Sequence, residues 1–446
     1  MTNSYYLLFL LVVSISFIVW FTAYKKVNAF FALLIAALAV GLSSGLAPDK
    51  ILSTLKTGFG HTMEKIGLLI LLGTTLGVIL EKTGATISMA NAILRKVKEK
   101  NAPLAIGITG FIVGLPIFCD SGFIILSGLN HSLVKKTRVS MPTMAAVLAT
   151  SLYAVHCLVP PHPGITAAVG TSGGNLGLVM IWGIVLALPA AIVGYIWSVT
   201  KGAKVEHTYT APQETTAVGT TLPPAGLSFL PVLLPIALIA VKSIVLLFIT
   251  TQELSANIAL QIVSFIGDPV MALVVGILVS LTLIRGEHKH EWSHWLTAGV
   301  EKAGMILAII AAGGMFGEML QATGMGKHLG DLLGGLSLGI FFPFLITAIL
   351  KTAQGSSTVA VITAASLVTP LLGSLGINSP TGLTLAILSM SAGSMVISHA
   401  NDAYFWVISR FSNLETAATL KAYSLATLLM GVTVQLIIWV LFSAFA

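Results

Sequence analysis

The sequence predicts an all-α polytopic membrane protein of about 10–12 membrane segments, folded as two inverted repeats that each hold a re-entrant hairpin and a broken helix. Three observations predict it: a composition that water cannot solvate, basic clusters that fix which loops share a side of the bilayer, and an ordered echo between the two halves. Of 446 residues, 56% are hydrophobic and 9% charged, with mean hydropathy +0.97, against about 25% charged in ordinary soluble domains. Apolar runs recur at Tyr5–Phe21, Ala29–Leu46, Leu68–Leu80, Leu178–Trp197, Leu230–Ile249, Met271–Ile284 and Ser424–Phe445, where one crossing takes about 20 apolar residues. A soluble domain on a single anchor is excluded.

Taken in order, Tyr5–Phe21 is a retained first helix and not a signal peptide, because Tyr24-Lys25-Lys26 stands where a small-residue cleavage site belongs. The net charge of +7 is spread over short clusters, Lys25-Lys26, Arg95–Lys100, Lys135–Arg138, Lys201–Lys204 and Arg285–Lys289. This is the pattern of cytoplasmic loops and not of a nucleic-acid surface. Between Lys100 and Lys135 lie two short apolar pieces, Ala105–Ile117 and Phe123–Leu133, joined by Phe118–Gly122. With both ends cytoplasmic, they read as a hairpin whose polar tip lies at membrane depth. Cys119 and Cys157 sit in apolar surroundings without metal-ligand spacing, so neither a disulfide nor a metal or other cofactor is expected.

The second half echoes the first. Glu64-Lys65-Ile66-Gly67 returns as Glu301-Lys302-Ala303-Gly304, and Leu76-Gly77 with Glu81-Lys82-Thr83-Gly84 returns as Phe316-Gly317 with Gln321-Ala322-Thr323-Gly324. The tip around Asp120 is matched by Gln354–Thr358, and Leu148–His156 by Leu388–His399. Counting crossings from the basic loops runs the two repeats in opposite directions. Residues 1–60 and 228–297 are then framework helices and 201–227 a linker. Residues 61–200 and 298–446 form a transport core, with re-entrant hairpins near 105–133 and 338–374.

Irregular backbone at membrane depth occurs where it is buried in protein or lines a cavity, and paired interruptions in two halves mark a transporter's binding site. The breaks are Cys119–Gly122, Val155–Gly164, Lys351–Thr358 and Ser398–Asp402. Half-helices beginning after Asp120 or Gly355 offer free N–H groups and a positive dipole end to a carboxylate. The hydroxyls of Ser121, Ser356, Ser357, Thr358 and Ser398, with the Asn401 amide, suit a polyhydroxylated body, although each hydroxyl can instead bond its own helix. Gly122 completes the first tip. Asp120, His156, His162, His399 and Asp402 are the ionisable groups expected at depth, with Asp120 and His156 placed to take up a proton with the substrate, and His162 and His399 alternatively serving as caps. Glu81 is expected to pair with Lys82 at the interface. Two enzyme-like motifs are set aside: His290-Glu291-Trp292-Ser293-His294 lies in a short basic connection, and Gly170-Thr171-Ser172-Gly173 lies in an expected loop over Gly170–Gly177.

These interrupted segments resemble the gluconate permease family of proton-coupled sugar-acid symporters, within the ion transporter superfamily. Gly114–Leu126, Val155–Gly164, Gly267-Asp268-Pro269, Gln354–Ala360 and Ser398–Trp406 carry the resemblance. It implies uptake of gluconate or a related hydroxy acid with protons across a prokaryotic cytoplasmic membrane. It further implies a homodimer whose framework holds an elevator-type moving core. The sequence departs from the family's usual residues at Asp120, Lys351, Ser357 and Tyr404, all beside the expected cavity. Sodium coupling on the same fold remains open, since unwound carbonyls also suit Na⁺.

Overall fold

A computed structural model of the chain describes residues 4–97, 101–137, 139–205, 222–249, 254, 257–284, 290–324, 338–399 and 402–445. Residues 206–221 of the expected linker, 98–100, 138 and 285–289 of the basic clusters, and Asn401 lie outside the described residues. All regular structure among the described residues is helical.

The first half holds α1 (Ser4–Val19), α2 (Ala29–Ser43), α3 (Pro48–Lys82), α4 (Ala85–Val97), α5 (Ala102–Gly114), α6 (Cys119–Thr137), α7 (Met141–Leu158), α8 (Pro163–Ser172) and α9 (Leu176–Thr200). The second holds α10 (Ala225–Phe248), α11 (Ile258–Ile266), α12 (Pro269–Leu281), α13 (Trp292–Ala322), α14 (Phe341–Gln354), α15 (Ser357–Val368), α16 (Pro380–Gly393), α17 (Ala403–Phe411), α18 (Thr416–Thr419) and α19 (Leu425–Phe445). Several starts are written locally in the sequence. Ser140 with Pro142, Asp268 with Pro269 and Ser379 with Pro380 each place a capping oxygen before a proline that lacks an N–H to satisfy.

Six spans among the described residues are long and apolar enough to cross a membrane, and the bent pair α11–α12 makes a seventh, its halves 68° apart. The shortfall against the expected segment count comes from α1, α2 and the hairpin arms α5, α14 and α15, which have 16, 15, 13, 14 and 12 residues. At about 1.5 Å per residue, α2 and the hairpin arms fall short of the ~30 Å hydrocarbon core, whereas α1 continues without a break into a π-helical stretch, Trp20–Tyr24. The α11–α12 bend falls at Gly267-Asp268-Pro269, where one Asp268 oxygen caps Val270 N at 3.1 Å and the other meets Lys242 Nζ at 3.0 Å.

Both halves run through the same order: a long helix, a helix–turn–helix, a broken helix and a closing long helix. Here these are α3, α5/α6, α7/α8 and α9, then α13, α14/α15, α16/α17 and α19. The packing repeats too. The first hairpin arm lies on the first half of its own broken helix (α5 on α7, α14 on α16), and the closing helix lies on the same element (α9 on α7, α19 on α16). The second arms also reach the broken helix of the other half, α6 packing on α17 as well as on α7, and α15 on α8. The two long helices are antiparallel, because Gly58 meets Gly314 while Thr75 meets Gly299. They approach so closely that a Cβ on Gly58 would lie 2.6 Å from the Gly314 carbonyl oxygen. Small residues draw helices together this way where lipid removes the hydrophobic drive.

The breaks sit slightly away from their expected positions. The first tip is Leu115–Phe118, because Pro116 turns the chain out of α5, and Cys119–Gly122 already form the first turn of α6. The helix α7 continues through His156 to Leu158, so that interruption narrows to residues 159–162. The second tip shrinks to Gly355-Ser356, with Gly355 at φ +86°, a conformation that favours glycine. The last break is longer, opening at Ser394. Gly170–Ser172 belong to α8, correcting the expected loop.

Candidate functional site

The tips and breaks converge on a cavity of about 490 Å³. Its walls are the first turn of α6 with Phe118, Asp120 and Ser121; Tyr153 and His156 of α7; Lys302 of α13; Gln354, Ser356, Ser357 and Thr358 at the second tip; and Asp402 and Tyr404 at the start of α17. Gly122, His162, Gly355, Ser398 and His399 stand behind these walls. A Cβ on Gly122 would lie 2.7 Å from Leu152 Cδ2, so its role is close packing of α6 on α7. His162 Nε2 donates to the Gly114 carbonyl at 2.8 Å, and His399 Nε2 to the Thr352 carbonyl at 3.2 Å. A carbonyl only accepts, so both rings carry the proton on Nε2. Each histidine ties a broken helix to the last turn of its own hairpin's first arm.

The second half of the site is charge-neutralised from within. Lys351 is fully buried, and its Nζ meets Asp402 Oδ2 at 2.6 Å and also donates to the Gly355 carbonyl. Asp402 is further satisfied by Ser398 Oγ at 2.5 Å and, through Oδ1, by Tyr404 N at 3.0 Å, which caps α17. Ser356 caps α15 through Val359 N at 3.3 Å. Tyr404 stacks near Tyr153 with ring centroids 5.7 Å apart, and its hydroxyl reaches the Ala149 carbonyl at 3.2 Å. It therefore forms a rigid wall where a smaller residue would leave room.

The remaining polar groups are unspent. Asp120 Oδ1, His156 Nδ1 and both amide atoms of Gln354 are buried without a hydrogen-bond partner among the described residues. Such groups cost stability when left unpaired, and all three side chains line the same cavity. Lys302 Nζ donates to Ser121 Oγ at 3.0 Å, lies 5.2 Å from the Phe118 ring centre, and stands 3.7 Å from Glu81. Glu81 thus faces a lysine of the other half of the chain, where an interfacial pair with Lys82 was expected.

Sequence reasoning passed over Lys302, Lys351 and Gln354 as site residues. Lys351 carried a signal: a lysine inside the apolar run Phe341–Ala353 needs an acidic partner at depth. Lys302 stood in plain view as a repeat marker. Among the described residues, no group of three or more His, Cys, Asp or Glu is placed to hold a metal ion. Glu291 accepts from Trp295 Nε1 at 3.1 Å at the start of α13. Ser172 Oγ shares a 2.8 Å hydrogen bond with the Thr369 hydroxyl and not with a base.

Broken helices whose ends converge on a polar cavity, inside a body of membrane-length apolar helices, define a multi-pass membrane transporter. The comparisons agree in class and add a lineage. The sequence pattern of GntP family permeases matches residues 6–445, and the chain belongs to that family. It is 35% identical to an uncharacterized permease of Haemophilus influenzae, over 91% of this chain and 85% of that protein. It is 32% identical to a gluconate permease of Pseudomonas aeruginosa, over 96% of each. In fold it resembles the YdaH transporter of Alcanivorax borkumensis, with TM-score 0.63, 15% identity, and 96% of this chain and 98% of that one covered. The protein is a multi-pass permease of the cytoplasmic membrane and not an enzyme.

Proposed function

We propose that the protein is a proton-coupled symporter that brings gluconate or a related sugar acid, a hydroxy-monocarboxylate, into the cell. The observation that carries this is the meeting, in one cavity with two helix N-termini, of Asp120 Oδ1, His156 Nδ1 and the Gln354 amide, all without a hydrogen-bond partner among the described residues. The first turn of α6 offers N–H groups and dipole to a carboxylate, and Gln354, Ser357 and Thr358 offer a neutral polar surface to hydroxyls. Asp120 and His156 are the proton-linked groups, and the names of the gluconate-carrying relatives support the substrate class. The substrate-contacting set adds Ser121, Ser356 and Asp402, with Asn401 contributing its amide, while Gly122, His162, Gly355, Ser398 and His399 shape the walls.

The antiparallel α3 and α13, and the reciprocal contacts of α6 with α17 and of α15 with α8, support inverted repeats. Residues 61–200 and 298–446 then move as an elevator-type core against framework helices in 1–60 and 228–297, within a homodimer. Uptake of labelled gluconate into proteoliposomes tests the coupling. An inward proton gradient drives accumulation and a sodium gradient alone does not; the reverse result assigns the site to sodium and removes the proton role from Asp120 and His156.

A further inference from the structure

Lys302 is the cationic side chain among the described residues that line the cavity. Lys351 lies behind Asp402, fully buried and already committed to that carboxylate and the Gly355 carbonyl. The Lys302 ammonium has three donors, and one is used, on the neutral Ser121 hydroxyl. Its acidic neighbour Glu81, at 3.7 Å and with a 29% exposed side chain, lies beyond good hydrogen-bond distance. The Phe118 ring steadies the ammonium from one side. The charge therefore stands at the N-terminal turn of α6. The second tip supplies the Gln354 amide, and α7 supplies His156, only 9% exposed, whose ring lies 6.1 Å from that of Phe118 and whose Nδ1 has no hydrogen-bond partner among the described residues.

We infer that Lys302 is the specificity-determining cation that takes the substrate's carboxylate, leaving the hydroxylated chain to run toward Gln354 and the second tip. One cation with donors to spare, in a cavity otherwise lined by neutral groups and the carboxylates of Asp120 and Asp402, selects an acid with one carboxylate at one end. A neutral polyol forgoes the charge-assisted contact with Lys302, and a diacid sets its second carboxylate in a cavity that Asp120 and Asp402 also line, with no further cation among its described lining residues. This assignment rests on the sugar-acid reading above.

The test is counterflow of labelled gluconate in proteoliposomes holding the full-length protein. Losing a charge-assisted contact in Lys302→Gln raises the half-saturation concentration on the order of 10- to 100-fold with little change in maximal rate, whereas Lys302→Arg stays close to the parent. Glu81→Gln also leaves half-saturation near the parent value. If Lys302→Gln binds as well as the parent, or Glu81→Gln copies its defect, the lysine serves the ion pair and the assignment is overturned. Should Lys302→Gln not fold, competition on the parent protein decides. Glucarate displaces gluconate more weakly than unlabelled gluconate does and sorbitol hardly at all; equal displacement by either overturns the assignment. Absence of gluconate exchange by the parent protein, with exchange of an unrelated solute, instead removes the sugar-acid reading and this assignment with it.

Discussion

In each half of the chain a histidine of the broken helix donates to the last turn of the hairpin's first arm, His162 to Gly114 and His399 to Thr352. The same joint is thus built twice, yet the charges around it differ. The second half couples Lys351 to Asp402 and surrounds that carboxylate with Ser398 and Tyr404 N. The first leaves Asp120 Oδ1 and His156 Nδ1 without partners among the described residues. A satisfied buried pair holds geometry, and an unsatisfied one holds capacity to bind. The comparison teaches that two halves with the same order of elements differ in charge: the second satisfies its buried carboxylate internally, and the first leaves polar atoms open to the cavity.

Breaking the anchor has the largest expected effect. Lys351→Met or Asp402→Asn leaves a buried charge alone, which costs about 3–5 kcal/mol, so thermal unfolding in detergent shifts far down and membrane yield falls. Equal stability in either variant contradicts the anchoring role. The next effect lies at the crossing of the repeats. Gly58→Leu forces a side chain against the Gly314 backbone, and overpacking of this kind costs about 1–3 kcal/mol, while the same change at Gly60, where a Cβ meets nothing within 4 Å, leaves the unfolding temperature nearly unchanged. The smallest effect separates the two joints. His162→Ala removes a buried hydrogen bond and His399→Ala a half-buried, longer one, so the first loses about 1 kcal/mol and the second less. Unfolding temperatures of the two variants in the same detergent check the order.

Much of this was legible in the residues because helix breakers are local. Pro116, the prolines after Val159, and Gly355 announce their breaks without help from the rest of the fold. What was hidden depends on chain segments meeting at a distance. Lys351 and Asp402 stand 51 positions apart and Lys302 and Ser121 stand 181 apart, and no periodicity or spacing links such pairs. The tips were misplaced by a few residues for a related reason: a polar residue such as Asp120 looks like loop chemistry, yet a carboxylate is favoured in the first turn of a helix.

The central claim is that Asp120 carries the proton that drives sugar-acid uptake. Accumulation of labelled gluconate in proteoliposomes under an inward proton gradient, compared between the parent protein and Asp120→Asn, tests it most directly. The account predicts that Asp120→Asn still exchanges gluconate in counterflow but no longer accumulates it against its gradient. Proton-driven accumulation that survives in Asp120→Asn would contradict it.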